Sequence, residues 1–255
     1  MSNTSDGPAE KGSKFWMQRI VNTPAMSLQL ENCINLGKIK WFSPLRKDNY
    51  KEYKLNSNYI PSDPEKLICN ALDIVKKDLD FWPHGGPQWD AIGIINKGGK
   101  ETILLVEAKS YIGEIKEDCK AEKNLKNHKK IVETLTNVHK EIVKKVSSNH
   151  TINDFPASPW LGNLYQIANR LAFFYNIKYL IEEKKDVVLV FLLFGHDYTH
   201  GDDRKLTGYC EWSEHMNGVT KALLGCNLSD LNLHFPEIKT VYYDVGPVNI
   251  NVCVI

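Results

Sequence analysis

The stretch from Trp89 to Lys109 constrains the fold most. Two β-prone runs, Trp89 to Ile95 and Thr102 to Lys109, flank Lys97-Gly98-Gly99-Lys100. A Gly-Gly pair supplies the positive φ angles that two-residue hairpin turns need, so the spacing predicts an antiparallel hairpin with Lys97 opposite Lys100. Counting back from that pair sets Asp90 opposite Glu107. Opposed side chains share a face, with β-carbons about 4.5–5.5 Å apart. Side chains alternate along a strand, so Lys109 joins that face about 7 Å further on. The same face continues as Ile92, Ile94, Ile103 and Leu105. Two carboxylates and a lysine at the lip of an apolar face are costly unless something neutralises them. A divalent cation would do so, because carboxylate oxygens are the ligands Mg²⁺ prefers.

An acidic-x-Lys triplet is a weak signal alone; the chain has eight, at Glu52, Glu107, Glu114, Asp118, Glu182, Glu183, Asp203 and Glu237. Only the one at Glu107 follows a buried-strand run, Ile103-Leu104-Leu105-Val106, and only that one has an aspartate facing it across a predicted turn.

The remaining pattern alternates helix and strand. Ser62-Asp63-Pro64-Glu65 carries a capping residue, a proline and a first-turn carboxylate, and starts a helix whose apolar positions run to Leu79. Glu114 to Val146 is Lys-rich and free of proline, and predicts one long or two shorter helices. Leu161 to Ile181 reads as a largely buried helix, Val187 to Phe194 as a central strand, Glu211 to Leu224 as an amphipathic helix. Thr240 to Val245 and Val248 to Ile255 read as strands. The class is α/β, a central mixed β-sheet flanked by helices.

Asp90, sixteen residues, then Glu107-Ala108-Lys109 closing an apolar strand resembles the PD-(D/E)XK nuclease superfamily, the restriction-endonuclease-like fold. The resemblance covers roughly Ser62 to Phe194. It implies an αβββαβ core and a glutamate on the first helix, for which Glu65 is the matching residue. Some members also carry a glutamine on the helix after the Glu-x-Lys strand; Tyr165-Gln166-Ile167-Ala168-Asn169-Arg170 is similar to that motif. Pro87 stands three residues before Asp90, where the family has proline directly before it. The resemblance implies hydrolysis of phosphodiester bonds in DNA. Mg²⁺ or Mn²⁺ would be held by Asp90, Glu107 and the Ala108 backbone carbonyl. Lys109, Glu65 and Gln166 would be catalytic, and Arg170 would contact substrate. Cutting both strands takes two sites, which a homodimer would supply. On this reading residues 1–14 are a flexible tail and 15–61 an N-terminal arm packing on the core. Residues 62–255 are then the nuclease-like domain, with a Lys-rich helical insertion at about 112–150.

Composition sets the outer limits. Of 255 residues, 42% are apolar and 25% charged, which excludes a collagen-like or wholly disordered chain. The net charge is +1, but residues 1–60 and 109–150 are each +4, while 61–108 and 182–237 are −3 and −5. Basic stretches flanking an acidic centre suit metal ions held against a polyanion. The longest apolar run is too short to span a bilayer, so no membrane partner is expected. Six scattered cysteines without a Cys-x-x-Cys pair, and a polar N-terminus, suggest reduced thiols in a cytoplasm. Two other readings stay open: a catalytically inactive module of the same fold that binds nucleic acid or protein, and a metal-dependent phosphohydrolase using His196 and Asp197.

Overall fold

The computed structural model describes residues 7–55, 69–70, 73–74, 76–83, 86–146, 154–201, 206–247 and 252–255. The chain opens with two helices, α1 (Gly12–Asn22) and α2 (Pro24–Ile34). Trp16, Met17, Ile20 and Val21 recur at helical spacing and bury one side of α1. Proline at its first position starts α2, and Asn35 in the left-handed region ends it by donating its N–H to the Glu31 carbonyl. Strand β1 (Lys38–Ser43) follows, then β2 (Ala91–Lys97) and β3 (Lys100–Lys109). Two 3₁₀ turns, Ile112–Ile115 and Lys120–Lys123, lead from β3 to α3 (Leu125–Val146). The short α4 (Ala157–Leu161) precedes α5 (Tyr165–Tyr175), which runs on into a π-helical turn, Asn176–Leu180. After β4 (Val187–Gly195) come α6 (Tyr209–Leu224), α7 (Leu228–His234), β5 (Ile238–Asp244) and β6 (Val252–Val254).

The six strands form one mixed sheet in chain order. β1, β2 and β3 run antiparallel to one another, β4 and β5 continue parallel to β3, and β6 returns antiparallel. The hairpin has the expected register: Lys97 pairs with Lys100 and Ala91 with Val106. Gly98 and Gly99 both take positive φ, 61° and 82°, which is why the turn needs no third residue. All nine residues of β4 are buried, as its central place demands.

Each sheet face has its own core. Ile92, Ile94, Ile103, Leu105, Phe191 and Leu193 pack against α3, α5, α6 and α7. Leu104, Val106, Val190, Leu192 and Phe194 pack against Trp16, Met17 and Ile20 of α1 and Leu30 of α2. The protein is therefore a sheet between two helical layers, in the α/β class.

Two features differ from the sequence reading. Within the segment read as an arm at 15–61, residues 38–43 are a strand of the sheet: β1 pairs with β2 from Lys38↔Asn96 to Ser43↔Ile92. The alternation Lys38-Ile39-Lys40-Trp41 is a strand pattern, and without it β2 would leave its edge unpaired. Residues 12–14, read as part of a flexible tail, are the first turn of α1. The helix expected from Ser62 to Leu79, with Glu65, lies mostly outside the described residues. Cys69 and Asn70 are helical, and Lys76–Leu79 is a 3₁₀ turn. No helix among the described residues is long and apolar enough to cross a membrane. All six cysteines are free thiols.

Candidate active site

The hairpin brings Asp90, Glu107 and Lys109 to one end of the sheet. Asp90 stands one step before the Ala91↔Val106 pair, so the register sets it beside Glu107. Its Oδ2 accepts the Ala108 N–H at 2.7 Å. In a strand a residue's N–H and C=O leave the chain on the same edge, so the Ala108 carbonyl is directed to that side too. Glu107 is fully buried, and each of its oxygens meets a cation. Lys109 Nζ binds Oε1, and Arg170 Nε donates to Oε2 at 2.5 Å.

Arg170 reaches the cluster from α5. Its two remaining nitrogens donate to Asn169 Oδ1 and to the Gln88 carbonyl, both at 2.7 Å, and its guanidinium lies 4.9 Å from the centre of the Trp89 ring. The side chains of Lys109 and Arg170 are 7% and 5% exposed, so both are desolvated along with Glu107. Gln166, one turn earlier on α5, is half-buried, and Arg170 is the α5 residue that touches Glu107.

A further carboxylate, Glu52, joins from outside the motif. Lys54 bridges Gln88, and the Trp89 N–H donates to the Tyr53 carbonyl at 3.0 Å, so this segment runs alongside the approach to Asp90. Gln88 Nε2 donates to Glu52 Oε2 at 2.9 Å, and Lys14 of α1 lies 3.8 Å from Oε1. In the sequence Glu52 is one of eight acidic-x-Lys triplets. The signal that could have found it is the alternation Glu52-Tyr53-Lys54-Leu55, in which Tyr53 and Leu55 are buried.

Charge crowding shifts these groups in different directions. Burial, then the Glu107 charge, pushes the Asp90 carboxyl well above its ordinary value; Lys109 and the Ala108 N–H oppose it. Burial also raises Glu52, against the pull of Lys14 and Gln88. Burial alone would raise Glu107, but Arg170 and Lys109 outweigh it and hold that carboxyl below the usual range. Burial alone would lower Lys109, but Glu107 and Asp90 outweigh it and keep the ammonium charged.

The donor types present are those an oxygen-liganded divalent cation takes, and such a cation would compete with Lys109 and Arg170 for the Glu107 oxygens. The donors are carboxylate and carbonyl oxygens, and the raised Asp90 carboxyl marks a place where added positive charge would be stabilising. Among the described residues no three His, Cys, Asp or Glu side chains form a group that could hold a metal ion. The expected set is smaller, two carboxylates and one backbone carbonyl, and Glu65 lies outside the described residues.

The other polar candidates separate. His196 turns toward β5, where its Nδ1 lies 3.0 Å from Asp244 Oδ1. Asp197 turns toward α1 and accepts the Trp16 indole N–H at 2.9 Å. The structure therefore does not bring His196 and Asp197 together. Trp82, Trp89 and Trp160 are all buried in the core. Compared with known protein families, curated proteins and solved structures, the chain has no match.

Proposed function

We propose that the chain is a metal-dependent nuclease that hydrolyses phosphodiester bonds in DNA, built on a restriction-endonuclease-like core. The observation that carries this reading is the convergence of Asp90, Glu107 and Lys109 at the end of one hairpin. The chain order supports it as well: helices, three successively antiparallel strands, the helices α3 to α5, then a strand parallel to the third. The helices before β1 are α1 and α2, so the first-helix glutamate assigned to Glu65 is a separate proposal, outside the described residues.

Asp90, Glu107 and the Ala108 carbonyl would hold Mg²⁺ or Mn²⁺, which supplies an acidified water and neutralises charge on the phosphate. Lys109, whose pairing with Glu107 favours the ammonium, would hold the attacking water and stabilise negative charge as it develops on the phosphate. Arg170 pairs with Glu107 and braces it against the Gln88 carbonyl; it is a positioning residue in this arrangement, and the substrate contact falls to other groups. Gln166 is the α5 side chain left to orient substrate. A homodimer would present two such sites to the two strands.

Incubation of purified protein with supercoiled plasmid and Mg²⁺ or Mn²⁺ tests the proposal. Nicking that EDTA abolishes is expected. Asp90→Asn and Lys109→Met should each lower the rate at least about 100-fold. Full activity in either variant would sink the assignment.

A further inference from the structure

Helix α3 is two-sided. Ile131, Leu135, Val138, Ile142 and Val143 are buried against the rest of the protein. On the opposite side Lys126, Lys129, Glu133, Asn137, Lys140 and Lys144 are all exposed. Steps of three or four residues line these six into one stripe. At 1.5 Å per residue its lysines span about 27 Å.

The stripe is poorly neutralised. Among the described residues Lys126, Lys140 and Lys144 have no carboxylate within ion-pair distance, and Lys129 reaches Glu133 only at 3.9 Å. Lys140 and Lys144 stand one turn apart and repel, as do Lys126 and Lys130, so the helix carries a cost that a bound polyanion would remove. The whole chain is only +1, so this is charge gathered on one surface and not a general excess.

The stripe is also tied to the candidate site. α3 packs on α5, the helix that carries Arg170. The link from Lys109 to α3 is pinned to the end of α4 and the turn into α5, with the Glu117 N–H on the Asn163 carbonyl at 3.1 Å and the Cys119 N–H on the Leu161 carbonyl at 2.8 Å.

We infer that this lysine stripe docks the sugar–phosphate backbone of duplex DNA. For its partner the inference rests on the nuclease reading. Two lysine pairs on one helix face, Lys126 with Lys129 and Lys140 with Lys144, suit phosphates at two places along a backbone, and they read no bases, so the contact is independent of sequence.

The test is binding of a fluorescent DNA duplex of about 30 base pairs, in EDTA to prevent cleavage, across a salt series. Replacing Lys126, Lys129, Lys140 and Lys144 together with glutamine should weaken binding about tenfold or more. It should also flatten log Kd against log salt by up to about 3.6, four phosphates at about 0.9 each. The circular dichroism melting point should not fall, because all four side chains are exposed and the substitutions relieve their mutual repulsion. Asp90→Asn should keep the wild-type slope. An unchanged slope in the four-lysine variant overturns the inference. So does a wild type that binds anionic phospholipid vesicles but not DNA, or that binds no DNA at all. A wild type that binds through the stripe and never cleaves would end the nuclease reading and leave the docking surface standing. Cleavage with an unchanged slope would do the reverse.

Discussion

Arg170→Met tests whether the candidate site is held together as described. The substitution keeps a long side chain at a buried position but removes three hydrogen bonds, to Glu107, Asn169 and the Gln88 carbonyl. Glu107 is 0% exposed, so water cannot replace the guanidinium at Oε2 without opening the site. Removing one partner of a buried pair costs about 3–5 kcal/mol. A loss of about 4 kcal/mol corresponds to a melting point lower by about 8–16 °C for a chain of this size.

The loss should also depend on pH, and the sign follows from Glu107. In the wild type its carboxyl is held low, so it contributes stability above the unfolded value of about 4.3 that is lost as pH falls through its depressed folded value. In the variant Lys109 alone opposes the burial, so the carboxyl rises from its wild-type value and protonation relieves part of the penalty. The variant's deficit should therefore be largest at about pH 8 and narrower at about pH 5. Asp90 has the opposite sign, raised in the folded state partly by the Glu107 charge, so the two carboxyls titrate as a pair in both proteins. Urea unfolding of both proteins at the two pH values is the assay. A deficit below about 1 kcal/mol, or one equal at both values, would refute the account of a desolvated Glu107 braced by Arg170.

Gln166→Ala should leave the melting point within about 0.5 kcal/mol of stability, since the side chain is half-buried and outside the core. On plasmid DNA it should slow cleavage about tenfold, the worth of one transition-state hydrogen bond. His139 is buried on α3 and burial lowers its pKa, so the unfolded chain takes up a proton near pH 6.5 before the folded one does. Stability should thus fall as pH drops below about 6.5, and His139→Leu should flatten that fall in melting curves measured across the range. Gly195→Ala should cost about 1–3 kcal/mol or more by urea titration, because a β-carbon there would collide with the Tyr242 ring and hydroxyl at the end of β4.

Much of the architecture was legible because local chemistry decides it. Gly98-Gly99 fixes the hairpin register, and with it Asp90 beside Glu107, through nothing more than turn geometry and a two-residue period. The all-apolar run of β4 has no place but the sheet centre. β1 was harder to read, because Lys38, Lys40 and the tryptophan and phenylalanine after them look like a basic arm until an edge at β2 is there to receive them. The ends of α5 were missed in the same way: the apolar pattern runs on past Tyr175, but the backbone passes there from α-helix into a π-helical turn.

The sequence by itself determined the α/β class, the hairpin and the meeting of Asp90, Glu107 and Lys109, because each follows from contacts between residues close along the chain. Only the tertiary structure decided what surrounds them. Glu52 lies 38 positions before Asp90, and Arg170 lies 63 after Glu107. Both arrive through packing of separate elements, Glu52 through the bridge at Lys54 and Gln88, and Arg170 through α5 lying on the sheet. That packing sets the burial that pushes Asp90 up, and it sets the ion pairs that outweigh burial to hold Glu107 down and raise Lys109. Desolvation and charge proximity depend on distance in space, which no local pattern encodes.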